Sequence, residues 1–162
     1  MKKLALVIAI VFAGIISANA QVWVGGGLGA DLKKKAKSFN VAPEVGFMIP
    51  KTPFTIALGT NYKYNDGKNE LSLQPYFRYA PITIAEKFIL FFDVTGDINL
   101  LDANKEAYAV MLQPGIAWMA TPKWTAAFRF AKIGYDHNFY STDGFLMDCD
   151  LAAPSIRIYY NF

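Results

Sequence analysis

Residues 54–63 read Phe54-Thr55-Ile56-Ala57-Leu58-Gly59-Thr60-Asn61-Tyr62-Lys63. Phe54, Ile56, Leu58 and Tyr62 are bulky, while Thr55, Ala57, Gly59, Asn61 and Lys63 between them are small or polar. A period of two puts one set on each face of a β-strand. The pattern extends in both directions. Val22 to Ala30 carries Val22, Val24, Leu28 and Ala30 on one face. Phe39, Val41, Val45, Phe47 and Ile49 alternate with Asn40, Ala42, Glu44 and Gly46. Leu71, Leu73, Pro75, Phe77 and Tyr79 alternate with Glu70, Ser72, Gln74, Tyr76 and Arg78. Phe88, Leu90, Phe92 and Val94 stand opposite Asp93, Thr95 and Asp97, with Ile89 and Phe91 as apolar exceptions on that second face. Tyr108, Val110, Leu112, Ile116 and Trp118 form a sixth set, Trp124, Ala126, Phe128 and Phe130 a seventh. Ile156, Ile158, Tyr160 and Phe162 close the chain against Ser155, Arg157, Tyr159 and Asn161.

Eight strands of about ten residues have the length that crosses a bilayer as tilted strands. Their connections alternate. Pro50-Lys51-Thr52-Pro53 and Thr121-Pro122-Lys123 are tight, and Pro81 to Lys87 is a slightly longer turn. The other ends carry Asp31 to Ser38, Asn65 to Asn69, Asn99 to Glu106 and Asp136 to Asp148. Short turns at one end and longer polar loops at the other predict an all-β, eight-stranded, antiparallel up-and-down transmembrane β-barrel.

Composition bounds the alternatives. The chain has 162 residues, enough for one domain. It is 54% apolar and 18% charged, with 15% aromatics, which excludes disordered and nucleic-acid-coating classes. No internal apolar run reaches the ~18 residues of a membrane helix.

The first twenty residues read as a cleaved signal peptide. Lys2 and Lys3 precede an apolar run from Leu4 to Ile16, and Ser17-Ala18-Asn19-Ala20 supplies an Ala-x-Ala site, so cleavage is expected between Ala20 and Gln21. Residues 21–162 then form the barrel. Its net charge is +1, down from +3 for the whole chain, because the leader holds two lysines and no acid. The single cysteine, Cys149, gives an exported chain no disulfide framework.

Which face turns inward is decided by charge. The three arginines, Arg78, Arg129 and Arg157, all lie on the polar face. An arginine facing lipid at mid-depth costs ~2–4 kcal/mol, whereas a polar lumen with a carboxylate partner tolerates it. Glu44, Asp93, Arg129 and Arg157 each lie about five or six residues from the turn end, which at ~3.3 Å per residue is one depth. They are expected to form a structural ion network that fills the lumen. Trp118, Trp124, Tyr160, Phe162, Phe54 and Phe77 fall near the turn end, and Tyr62, Tyr64, Tyr108 and Tyr135 near the loop end, as two interfacial girdles would. Lys132 is expected to face outward near the loop rim and to snorkel.

The closing run Ile156-Arg157-Ile158-Tyr159-Tyr160-Asn161-Phe162 resembles the C-terminal assembly signal of Gram-negative outer-membrane barrels, with Ile156, Ile158, Tyr160 and Phe162 as its apolar positions. With the leader and eight strands, the chain resembles the small barrels of the OmpX type and the transmembrane domain of OmpA, often labelled porin family. The resemblance implies an outer-membrane location, lipid partners including lipopolysaccharide, recognition by the barrel-insertion machinery, and a monomer.

Other motifs carry less. Gly25-Gly26-Gly27-Leu28-Gly29-Ala30 fits a dinucleotide fingerprint in letters, but no helix is expected after it. Lys33, Lys34, Lys35 and Lys37 form a basic loop that could meet lipopolysaccharide phosphates. His137, Ser141 and Asp143 lie close in sequence at the loop end, the residue types of a lipid A-modifying hydrolase, although a triad is recognised by geometry. One histidine and one cysteine offer no metal-ligand spacing. The reading is therefore a non-enzymatic barrel without cofactor or metal, structural or envelope-associated. A narrow conduit, a lipid A-modifying enzyme and a soluble lipocalin-like carrier are the alternatives.

Overall fold

The computed structural model describes residues 21–31, 38–65, 68–101, 107–140, 143–149 and 155–162. The leader with Ala20, the lysine-rich loop and Ser141 lie outside the described residues. The strands are β1 (Gln21–Asp31), β2 (Ser38–Met48), β3 (Phe54–Asn65), β4 (Lys68–Ile84) and β5 (Phe88–Asn99), then β6 (Tyr108–Met119), β7 (Trp124–Arg129), β8 (Lys132–His137), β9 (Asp143–Asp148) and β10 (Ser155–Asn161). Among the described residues there is no helix.

These ten segments make eight staves. β8 continues β7 along β6, and β9 pairs with β8 while β10 pairs with β7. Every strand ladder is antiparallel between chain neighbours, and β1 meets β10 through Trp23↔Asn161 to Gly26↔Ile158, which closes the barrel. Closure leaves no long free edge to template aggregation.

Alternation sets the faces. Ala42, Glu44, Ala57, Tyr76, Arg78, Asp93, Thr95, Ala117, Ala127 and Tyr159 are buried in the lumen. Val94, Val110, Leu112, Ile156 and Ile158 stay exposed on the wall, with Leu28 78% exposed. The girdle aromatics also face out. Phe54 stacks on Phe77 with centroids 5.1 Å apart, and Trp124 meets Tyr160 edge-on at 5.1 Å. Trp23 points inward instead and packs on Tyr159 at 4.4 Å. Gly115 makes room for Phe91, a large apolar side chain that is fully buried. A Cβ on Gly115 would overlap the Phe91 ring and the Phe128 carbonyl.

Three local features depart from simple alternation. On β6, Leu112 to Gly115 advances three residues, while their partners Ile133 and Arg129 lie four apart. The extra residue is a bulge at Phe130–Ala131, and it reverses the facing of the residues beyond it. Lys132 therefore turns into the lumen, with its Nζ 4.1 Å from the ring centroid of inward-folded Tyr140. The expected outward, snorkelling Lys132 is thus corrected. Second, Asp136 to Asp148 is not all loop, because β8 and β9 pair from Lys132↔Asp148 to His137↔Asp143. Third, Pro81 to Ile84 is strand. β4 passes a bulge between Tyr79 and Ile82, and Ile84 pairs with Phe88 around the three-residue connection Ala85-Glu86-Lys87, with φ of 50° at Ala85 and 58° at Glu86. Positive φ usually falls to Gly, Asn or Asp, so the sequence conceals this turn.

Candidate functional site

A charged layer crosses the lumen near mid-height. Asp93 of β5 sits directly opposite Arg78 of β4 in the ladder. Arg78 grips it with two bonds, Nε to Oδ1 at 2.7 Å and Nη2 to Oδ2 at 2.9 Å. This bidentate geometry is the strong form of a guanidinium–carboxylate contact. Arg129 reaches the same carboxylate from β7, its Nε donating to Oδ2 at 2.8 Å. It does so across β6 because Gly115, the ladder partner of both Arg129 and Phe91, has no side chain there.

Glu44 of β2 holds the second half of the layer. Its ladder partners are Gly25 and Gly59, which leave the carboxylate space to reach inward. Tyr76 and Tyr159 donate to its Oε2 at 2.7 and 3.1 Å. Arg157 pairs with its Oε1, and Arg129 Nη1 lies 3.7 Å from that oxygen. Arg129 thus bridges Asp93 and Glu44. The guanidinium of Arg78 lies 4.0 Å from the centroid of Phe91, and that of Arg129 lies 4.8 Å from that of Tyr76. Ring faces carry negative quadrupole charge and attract desolvated cations. Two carboxylates, three guanidiniums and two phenols form one connected cluster, and none of its residues is more than partly exposed.

The structure brings together Glu44, Asp93, Arg129 and Arg157, and adds Arg78, Tyr76 and Tyr159. Arg78 escapes a count from Pro81 because β4 runs on to Ile84, which moves Arg78 deeper into the wall. Counting back along the β4–β5 hairpin from Ile84↔Phe88 would pair Asp93 with Tyr79, and the bulge between Tyr79 and Ile82 moves the partner to Arg78. Glu70 stays apart at the loop end, paired with Lys63 at 3.8 Å and half exposed.

Closer to the loop end lies a second polar group. Asp97, fully buried, accepts from Gln74 Nε2 at 2.6 Å and from Tyr140 OH at 2.9 Å. Asp136 accepts the backbone N–H groups of Phe139 at 3.1 Å and Tyr140 at 3.0 Å. Tyr140 lies beyond the end of β8, and burial beside the Asp97 carboxylate holds its phenol well above the usual range. Lys132 pairs with Asp148 at 3.2 Å. Cavities of about 130 and 110 Å³ lie on either side of the charged layer. The first is lined by Gln113, Arg129, Lys132 and Asp148, the second by Trp23, Met48, Phe91 and Met119.

His137 Nδ1 contacts Asp143 Oδ1 at 3.0 Å on the outer rim. Cys149 is free and exposed. Among the described residues no group of three His, Cys, Asp or Glu side chains is arranged to hold a metal.

The fold and the lumen define an eight-stranded closed β-barrel with an ion-paired interior and an apolar wall. No family model matches the chain. No curated protein matches it either. Among solved structures the chain is similar to one described as "De novo design of transmembrane beta-barrels". The TM-score is 0.46 and the identity 11%, over 88% of this chain and 95% of that one.

Proposed function

We propose that the chain is a small integral outer-membrane β-barrel of Gram-negative type, with a side-chain-filled lumen and a structural or envelope-associated role. The observation that carries this reading is the inverted distribution of side chains. Asp93, Asp97 and Asp136 are fully buried, while a belt including Val94, Val110, Leu112, Ile156 and Ile158 is exposed on the wall. A soluble barrel puts apolar side chains inside, and exposed apolar belts of this extent mark contact with lipid or protein. In lipid every backbone group must be paired within the protein, and a closed barrel meets that demand. The leader and the C-terminal run ending in Phe162 support export and outer-membrane insertion, with lipid and lipopolysaccharide as surroundings, the insertion machinery as partner, and a monomer as the working form. Kinship with OmpX-like and porin-labelled barrels belongs to the same proposal, as does the absence of enzymatic activity.

An interior this narrow is filled by side chains, and here the filling is an ion-paired cluster. Planar bilayers containing the purified barrel are therefore expected to show no steady single-channel steps. Reproducible unitary conductance in the wild type would contradict the plugged reading and favour the narrow conduit.

A further inference from the structure

We propose that Tyr140 is the latch of an inward-folded strap, Asn138–Tyr140, which covers the lumen on the loop side of the charged layer. The strap leaves β8 at Asn138, whose φ of 58° turns the backbone back toward the barrel. An isolated bridge ties Asn138 to Tyr108 of β6. The next two N–H groups are capped by the Asp136 carboxylate, so the turn folds inward with its donors satisfied. The Tyr140 side chain then enters the lumen. Its hydroxyl donates to Asp97 at 2.9 Å, and its ring carries the Lys132 ammonium at 4.1 Å. Lys132 is available for this contact because the Phe130–Ala131 bulge turns it inward. A bulge that re-aims one side chain is a recurring device beside functional positions.

Along the inward face of β5, Asp97 holds the latch, Thr95 comes next, and Asp93 belongs to the Arg78–Arg129 layer. Thr95, 3% exposed, lies between the latch and the layer. The latch is held by one hydrogen bond and one cation–ring contact, with the Phe139 ring edge-on to Tyr140 at 4.8 Å. The strap is therefore a reversible closure, weaker than the layer beneath it.

The inference rests on the plugged-barrel reading, and the two fail on different measurements. In a Cys149→Ser background, Thr95→Cys serves as the reporter, with Met111→Cys, its ladder partner's position on β6, as a second. Folding is checked by heat-modifiable gel migration. The reaction rate with a small neutral methanethiosulfonate is compared with that of exposed Cys149 in the wild type. The reporter is expected to react far more slowly than Cys149. Tyr140→Phe, which keeps the ring and removes the hydroxyl, is expected to speed it about tenfold, the scale of a lost hydrogen bond to a charged acceptor. Tyr140→Ala should speed it further. A reporter as fast as Cys149 in the presence of Tyr140 would overturn the latch, whereas the plugged reading fails separately, through steady single-channel steps in the wild type. A slow reporter whose rate is the same in folded Tyr140→Phe and Tyr140→Ala would overturn the latch alone.

Discussion

Asp93→Ala is expected to lower stability by about 3–5 kcal/mol, the cost of leaving buried charge without its partner. Asp93 is the acceptor for both bonds of Arg78 and for Nε of Arg129, and its side chain is fully buried. Without it, two buried guanidiniums lose their closest carboxylate. That loss measures the removal of one partner and not the net worth of the cluster, since burying the charges was itself costly. The urea midpoint of the barrel refolded in liposomes, followed by heat-modifiable migration, reads the effect. Glu70→Ala is the control. Its pair with Lys63 is exposed at the loop end, and such pairs contribute ~0–1 kcal/mol. Equal midpoints for Asp93→Ala and the wild type would show that the layer is not what holds the staves together.

Val94→Arg is the second large effect and concerns the other face. Val94 is the neighbour of Asp93 on β5 but points the opposite way, with 48% of its surface exposed. Its ladder partners are Phe77 and Leu112, both on the outer wall. Near the middle of a lipid-facing strand an arginine costs ~2–4 kcal/mol. On a water-facing wall the same substitution changes stability within roughly ±0.5 kcal/mol. The same urea titration in liposomes separates the two. A single-residue step along one strand thus moves from a position that requires charge to one that rejects it.

Most of the architecture is legible because a period of two repeats along each stave, and it survives without knowledge of partners. Glu44 and Asp93 share a face with the arginines by this rule, and the charges mark that face as the inner one. The hidden strand features share one cause, an extra residue in a strand. Phe130 and Ala131 are both apolar, so either facing suits them and the bulge between Arg129 and Lys132 leaves no mark in the pattern. Simple alternation puts Lys132 on the wrong side for that reason. The bulge after Tyr79 likewise lengthens β4 and displaces Arg78 from its apparent depth. Trp23 follows the rule, because its neighbours Val22 and Val24 define the outer face and alternation turns the tryptophan inward. The strap is unreadable because Asp136 to Tyr140 resembles any polar connection until Asp97, 43 residues from Tyr140, is brought beside it.

The membrane-spanning proposal puts the wall made by the even-numbered residues of β5 against lipid. Nitroxide labels placed singly at Leu90, Phe92, Val94 and Ile98, in a Cys149→Ser background in liposomes, test it through their relaxation by oxygen and by a water-soluble nickel complex. Oxygen access that exceeds nickel access at Phe92 and Val94, and falls toward Ile98, is the predicted result. Nickel access at Val94 matching that of a water-exposed site would contradict the membrane-spanning barrel.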